Sequence, residues 1–258
     1  MPSLSTLLSL LLVAWFMLLA ACEFVTAHSR SAPERSSSDG RLLTNFGLAV
    51  LAFIIAAILP VSRIGSSAIA EQLDVGIGHH LHLSWFALFA LLFIVDSFAA
   101  YWVHRLMHVH RLLWRIHRVH HADTAVDVST SLRNHPFEMA VSGPVAAAVV
   151  LVIGAPPSVV VAIQSLSVAA SIWQHADIAL PRRIDSKLAL AIFTPRLHRL
   201  HHNPVRQIHD SNFGELISLW DRMFGTLNTS EERGAVGLEN QSSAPDRLIQ
   251  QIWSPLRA

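Results

Sequence analysis

The chain has 258 residues, 52% of them hydrophobic and only 14% charged, where an average soluble domain carries about 25% charged residues. A formal net charge of +1, with no basic run interleaved with aromatics, argues against nucleic-acid binding. A single cysteine, Cys22, excludes an internal disulfide framework and a thiolate metal site, while 16 histidines stand out.

Taken in order, Leu7 to Ala21 is an apolar run at the short end for a spanning helix. Leu19-Ala20-Ala21-Cys22 resembles a lipoprotein cleavage box, but no Lys or Arg precedes the run, so a helix is favoured over a cleaved leader. His28 to Arg41 reads as a flexible polar connector rich in Ser and Arg. Phe46 to Val61 is a second apolar run, stopped by Pro60, and Val61 to His82 is mixed, with Gly76 and Gly78 near its end. Leu83 to Val103 is the third run. Ala140 to Trp173 is long enough to cross a bilayer twice, and Gly154-Ala155-Pro156-Pro157 divides it. A hairpin of two helices is expected there, with a kinked buried pair that never spans as the alternative.

These runs predict an all-α, multi-pass integral membrane protein with about four to five membrane helices and a helical cap carrying the histidine clusters. Residues 1–82 hold the N-terminal helices and connectors, 83–228 the histidine-bearing domain, and 229–258 a polar tail. Arg105, Arg111, Arg115, Arg118 and Arg133 follow the third run, and Arg182, Arg183, Lys187, Arg196 and Arg199 follow the hairpin. An excess of Lys and Arg marks the cytoplasmic side. The cap is therefore expected in the cytoplasm, together with the connector bearing Arg30, Arg35 and Arg41, and the N-terminus outside.

The histidines are patterned. His104 and His108 form H-x-x-x-H, while His117, His120, His121 and His198, His201, His202 form two H-x-x-H-H motifs. Residues i, i+3 and i+4 share one helix face, so each set can grip one site. Eight candidate ligands exceed what one four-coordinate ion needs, and two metal ions are the economical reading. His108 and His117 are nine residues apart and would face opposite sides of one straight helix. Either the helix breaks between Val109 and Ile116 or several helices converge on the metals, and no Pro or Gly marks a break. His28, His79, His80, His82, His110 and His209 lack such partners and read as interior or interfacial residues.

Imidazole without thiolate suits iron, copper, zinc or nickel. There is no G-x-S-x-G, no H-E-x-x-H and no glycine-rich phosphate loop. Apolar helices running into the ligand set favour metal-assisted oxidation of an unactivated C–H bond. The competing reading is a membrane metal carrier or store without redox chemistry.

The order of the motifs sharpens this. Asp96, Tyr101-Trp102, H-R-L-M-H at 104–108, Leu113-Trp114 and H-R-V-H-H at 117–121 are followed by S-L-R-N-H-P-F-E at 131–138. Then come Q-H-A-D at 174–177, T-P-R-L-H-R-L-H-H-N at 194–203, D-S-N-F-G at 210–214 and L-W-D-R-M-F-G-T at 219–226. The series resembles the fatty acid hydroxylase/sterol desaturase superfamily of membrane non-haem di-iron enzymes. The resemblance implies that 83–228 is a hydroxylase-like catalytic domain and that the eight clustered histidines bind two irons. It adds His175 as a ninth ligand and His135 as a possible one, whose other role is to anchor the turn before Pro136. Relatives commonly carry Tyr where Phe213 stands, which leaves no phenol at that position.

The implied reaction uses O2 and two external electrons to hydroxylate or desaturate a lipid: a sterol, a fatty acyl lipid or an ether lipid. Electrons from NAD(P)H are expected through a separate electron-transfer protein or reductase, since no such domain is fused. Zinc can replace iron in a purified sample. Carboxylates commonly accept the second N–H of a ligating imidazole; Asp96, Asp123, Asp127, Glu138, Asp210 and Asp221 are candidates. Asp96 leads, as an ionisable residue near a span end. Asp221 can instead pair with Arg222 at the surface. Leu219 to Thr226 either packs in the core or closes the metal pocket.

Overall fold

The computed structural model describes residues 3–29, 40–59, 62–230, 235–239 and 246–257. Pro60, Arg30, Arg35, most of the Ser/Arg connector and the His28 side chain lie outside the described residues. The described chain is helical, with one isolated antiparallel bridge between Ile192 and Ile217. Four stretches are long and apolar enough to cross a membrane: Leu4–Thr26, Arg41–His80, Trp85–Val109 and Pro157–His175. Large apolar side chains such as Phe53 and Phe86 point outward from them, as a lipid-facing surface requires.

Helix α1 (Leu4–Ser29) lies along α8 (Pro157–His175). Trp15 Nε1 donates to the Ala169 carbonyl at 3.0 Å, and Leu19 is buried with Ile172 and Ala176. One turn on, the buried Glu23 carboxylate accepts from the amides of Val128 and Asp177. Helix α2 (Arg41–Ile58) carries Arg41 and Asn45 into a buried polar network. There Arg41 meets Asp123 and Asp127, and Asn45 meets Asp123 and Ser129. Helix α3 (Arg63–Leu73) begins at a Ser62 cap and packs on α7 (Glu138–Ile153), and a short α4 (Ile77–His80) follows.

The expected hairpin is present. Helix α7 ends on Gly154 in the left-handed conformation (φ 69°), and Pro157 opens α8 as a first-turn proline. The turn also admits a neighbour. A Cβ on Gly76 would fall 2.5 Å from the Gly154 Cα, so two backbones meet where only glycine fits. Leu88 and Leu92 of α5 (Trp85–Val109) pack against Val150, Ile153, Val159 and Ile163 of the hairpin.

The helix does break between Val109 and Ile116. Helix α5 stops at Val109, His110 is extended (φ −92°, ψ 118°), and α6 runs Arg111–His121. His110 ends one helix and caps the next, so no Pro or Gly is needed. On α6, Arg111, Arg115 and Arg118 share one face and the three histidines the other. A 3-10 turn (Val128–Leu132) leads to α7. Short helices α9 (Arg182–Leu188), α10 (Pro195–His201), α11 (Arg206–His209) and α12 (Leu219–Met223) complete the cap.

The polar tail does not hang free. Asp246 pairs with Arg133, which has no exposed surface, and α13 (Leu248–Trp253) packs on α2. Leu219 to Thr226 is packing: Trp220 joins Tyr101 and Phe213 in one cluster, and its Nε1 donates to Ser97 Oγ at 3.1 Å.

Replacing Glu23 with Ala would strand the Val128 and Asp177 amides away from water. A loss of about 1–3 kcal/mol is expected, read as a lower thermal midpoint of the purified protein in detergent.

Candidate metal centre

Nine imidazoles converge. His104, His108, His117, His121 and His201 place ligand nitrogens within 4.8 Å of one another, and so do His120, His175, His198 and His202. Both resolutions of the nine-residue spacing hold at once: the break at His110 folds α6 back on α5, and α8 and α10 bring the remaining rings. His104 Nε2 consequently lies 3.1 Å from His117 Nε2. The two groups touch through the stacked rings of His117 and His120, with centroids 5.4 Å apart.

Most of the rings are held by Nδ1. His104 donates to the Phe213 carbonyl (2.8 Å), His120 to that of Arg133 (3.0 Å), His175 to Ser171 (2.7 Å) and His201 to Ser211 (2.8 Å). His117 donates to Glu138 Oε2 (3.1 Å) and His108 faces Asp210 Oδ1 (3.3 Å). A neutral imidazole with its proton on Nδ1 has a bare lone pair on Nε2. Those lone pairs point at each other: His120 to His175 at 3.1 Å, as in the His104–His117 pair. Nε2 of His108, His121 and His201 is buried with no hydrogen-bond partner. Burial first, and neighbouring imidazoles second, push His120, His121, His198 and His202 well below the ordinary histidine pKa. These four rings are therefore neutral at physiological pH, and protons cannot relieve the crowding among them.

A cation would. Two nitrogens opposite each other across an ion at about 2.1 Å are about 4.2 Å apart, close to the spread within each group. An all-imidazole set leaves the charge of the ion uncompensated, and Glu138 and Asp210 stand behind it. The donor set fits two transition-metal ions.

Placement of the other candidates is mixed. His135 enters neither group: its Nε2 meets the Ile252 carbonyl and its Nδ1 accepts from the Phe137 amide, so it anchors the turn before Pro136. Asp96, the leading carboxylate, touches no imidazole; Arg63 holds it at 2.8 Å. Asp123 and Asp127 belong to the Arg41 network. Asp221 is no surface partner of Arg222. It is fully buried, accepts from the Phe213 and Gly214 amides at 2.8 Å each, and so fixes the carbonyl that holds His104. Phe213 thus serves through its backbone while its ring packs on His104, His108 and His201.

His80, His82 and His110 are exposed and His79 pairs with Asp74. His209 is a hydrogen-bonded interior residue, as expected, but its ring lies against His108 and Trp114 beside the five-histidine group. The carbonyl acceptors of Phe213, Arg133, Ser171 and Ser211 carry no sequence signal, since every residue has a carbonyl. Glu138 has one: H-P-F-E places it three residues after His135, whose amide it also accepts at 3.1 Å.

A cavity of about 280 Å³ opens beside the rings. His104, His117, His120, His175 and His198 line it, so both groups reach the same space.

Fold and centre together define a class: a helical membrane protein with a histidine-only centre on the wall of an internal cavity. The chain belongs to the fatty acid hydroxylase family, whose model matches residues 89–226. It is 30% identical over 146 residues to the alkylglycerol monooxygenase of Homo sapiens, covering 57% of this chain and 32% of that protein. Ornithine lipid hydroxylase OlsE of Rhizobium tropici is 28% identical over 202 residues, 75% of this chain and 60% of that one. Sphingolipid C4-hydroxylase sur2 of Schizosaccharomyces pombe is 30% identical over 144 residues, 55% and 47%. The chain thus spans between about a third and three fifths of these relatives. No solved structure matches it.

Glu138→Ala should free the His117 ring and lower metal affinity about 10- to 100-fold, whereas Asp96→Asn should leave it unchanged. Competition titration with a chromophoric chelator distinguishes the two.

Proposed function

We propose that the protein is a membrane di-iron oxygenase that hydroxylates or desaturates a lipid, using O2 and electrons delivered from NAD(P)H by a separate protein. One observation carries the reading: two buried imidazole groups share the wall of a cavity cut between apolar helices. His104, His108, His117, His121 and His201 hold one iron, and His120, His175, His198 and His202 the other. When bound, the pair supplies reductive activation of O2 and attack on a C–H bond.

The chain's own residues set the conditions. Ala99, Ala100 and Val103 of α5 and Val145 and Ala146 of α7 give the cavity an apolar wall along which a hydrocarbon chain can lie. Their small side chains leave the space open beside the rings. The Nδ1 acceptors keep six of the nine rings aimed, and Glu138 and Asp210 offset the positive charge of the centre. Asn134 and Gln174 add amide groups beside the rings, where they can orient a substrate hydroxyl or amide.

The named relatives act on an alkylglycerol, an ornithine lipid and a sphingolipid. A lipid with an apolar chain and a compact polar head is the substrate class they support. The Arg-rich cap supports a centre facing the cytoplasm, because Lys and Arg are in excess on that side of a membrane. A metal carrier needs ligands spaced along a path, and here they close on one another.

Anaerobic reconstitution should load about two irons per chain, and zinc should compete for the same sites. Cells making the protein should accumulate an oxidised lipid only in oxygen, and His120→Ala should abolish it. Metal transport into vesicles without any oxidised lipid would overturn the proposal in favour of the carrier.

A further inference from the structure

The cavity beside the histidines has a second, charged end. On α5, Asp96, Ala99, Ala100, Val103, His104 and Met107 line it, a single stripe at helical spacing. Asp96 and His104 are eight residues apart, about 12 Å along the helix. Arg63 of α3 and Glu215 of the loop after Gly214 join Asp96 there.

Arg63 and Asp96 satisfy each other at 2.8 Å. Glu215 has no hydrogen-bond or salt-bridge partner among the described residues, although its side chain is exposed into the cavity. Burial within the protein and the neighbouring Asp96 push its pKa up, and Arg63 pulls it down. The end of the cavity therefore carries two carboxylates and one guanidinium, beside an apolar span where unbalanced charge is costly. A structural pair explains Arg63 and Asp96. It does not explain Glu215.

We propose that this end of the cavity binds the head group of an amine-bearing lipid, whose ammonium pairs with Glu215 and balances the Arg63–Asp96–Glu215 set. The hydrocarbon then lies along the alanine stripe toward the histidines, and the head fixes which carbon reaches them. The substrate class so named rests on the lipid oxygenase reading. A neutral glycerol head would leave Glu215 unpaired, and a fatty acid carboxylate would add a third negative charge.

The test is binding, read without turnover. The purified full chain in mild detergent is titrated with a long-chain amino alcohol, an alkylglycerol and a fatty acid of equal chain length, by native mass spectrometry. The amino alcohol should bind at least about tenfold more tightly than either other lipid. Glu215→Gln should remove that preference without changing metal content, and Ala99→Phe, which fills the cavity midway, should weaken all three. Equal or weaker binding of the amino alcohol to the native protein overturns the proposal, as does a preference that survives Glu215→Gln or amine binding that survives Ala99→Phe. If Glu215→Gln does not fold, the ranking in the native protein decides. A protein that prefers the amine yet oxidises no lipid keeps this assignment and loses the oxygenase reading; one that oxidises only neutral lipids does the reverse.

Discussion

Opposed lone pairs govern this structure. Acceptors on the outer side of the rings fix the Nδ1 protons, so the inner nitrogens face one another without hydrogen atoms between them. In a low-dielectric interior that arrangement is unfavourable for the bare polypeptide. It persists because the scaffold sets six of the nine rings from outside, through backbone carbonyls that cannot rotate away and carboxylates that also offset charge. The scaffold thus holds a shape into which a cation fits.

The rest of the fold is support for those outer contacts. Asp221 braces the Phe213 peptide, and Phe213 braces His104. Arg133 is held by Asp246, by Asn45 of α2 and by the Val119 carbonyl, while its own carbonyl receives His120. Glu138 serves twice, on the His117 ring and on the His135 amide at the start of α7. Membrane helices and cap are thus joined by buried polar groups.

Much of this was legible in the sequence because its signals are local. Three histidine motifs at helical spacing named eight rings that meet, the resemblance added His175, and Gly154 to Pro157 announced the hairpin. Long-range polar pairing was not legible. Asp96 was an attractive partner for an imidazole by its place near a span, yet Arg63, 33 residues earlier, reaches it first. Asp221 beside Arg222 suggested a surface pair, but on a short helix neighbouring side chains diverge, and Asp221 turns inward to two amides. His110 shows a third limit: a break set by tertiary packing needs no Pro or Gly.

The Arg133–Asp246 contact bears on biogenesis. Every ring of the centre precedes Asp246 in the chain, so during synthesis all nine imidazoles leave the ribosome before the group that secures Arg133. Insertion of the helices and collection of the histidines can proceed first, and the seating of His120 is finished afterwards. The outer contact of His120 is thereby linked, through Arg133, to the docking of Asp246 and α13 against α2.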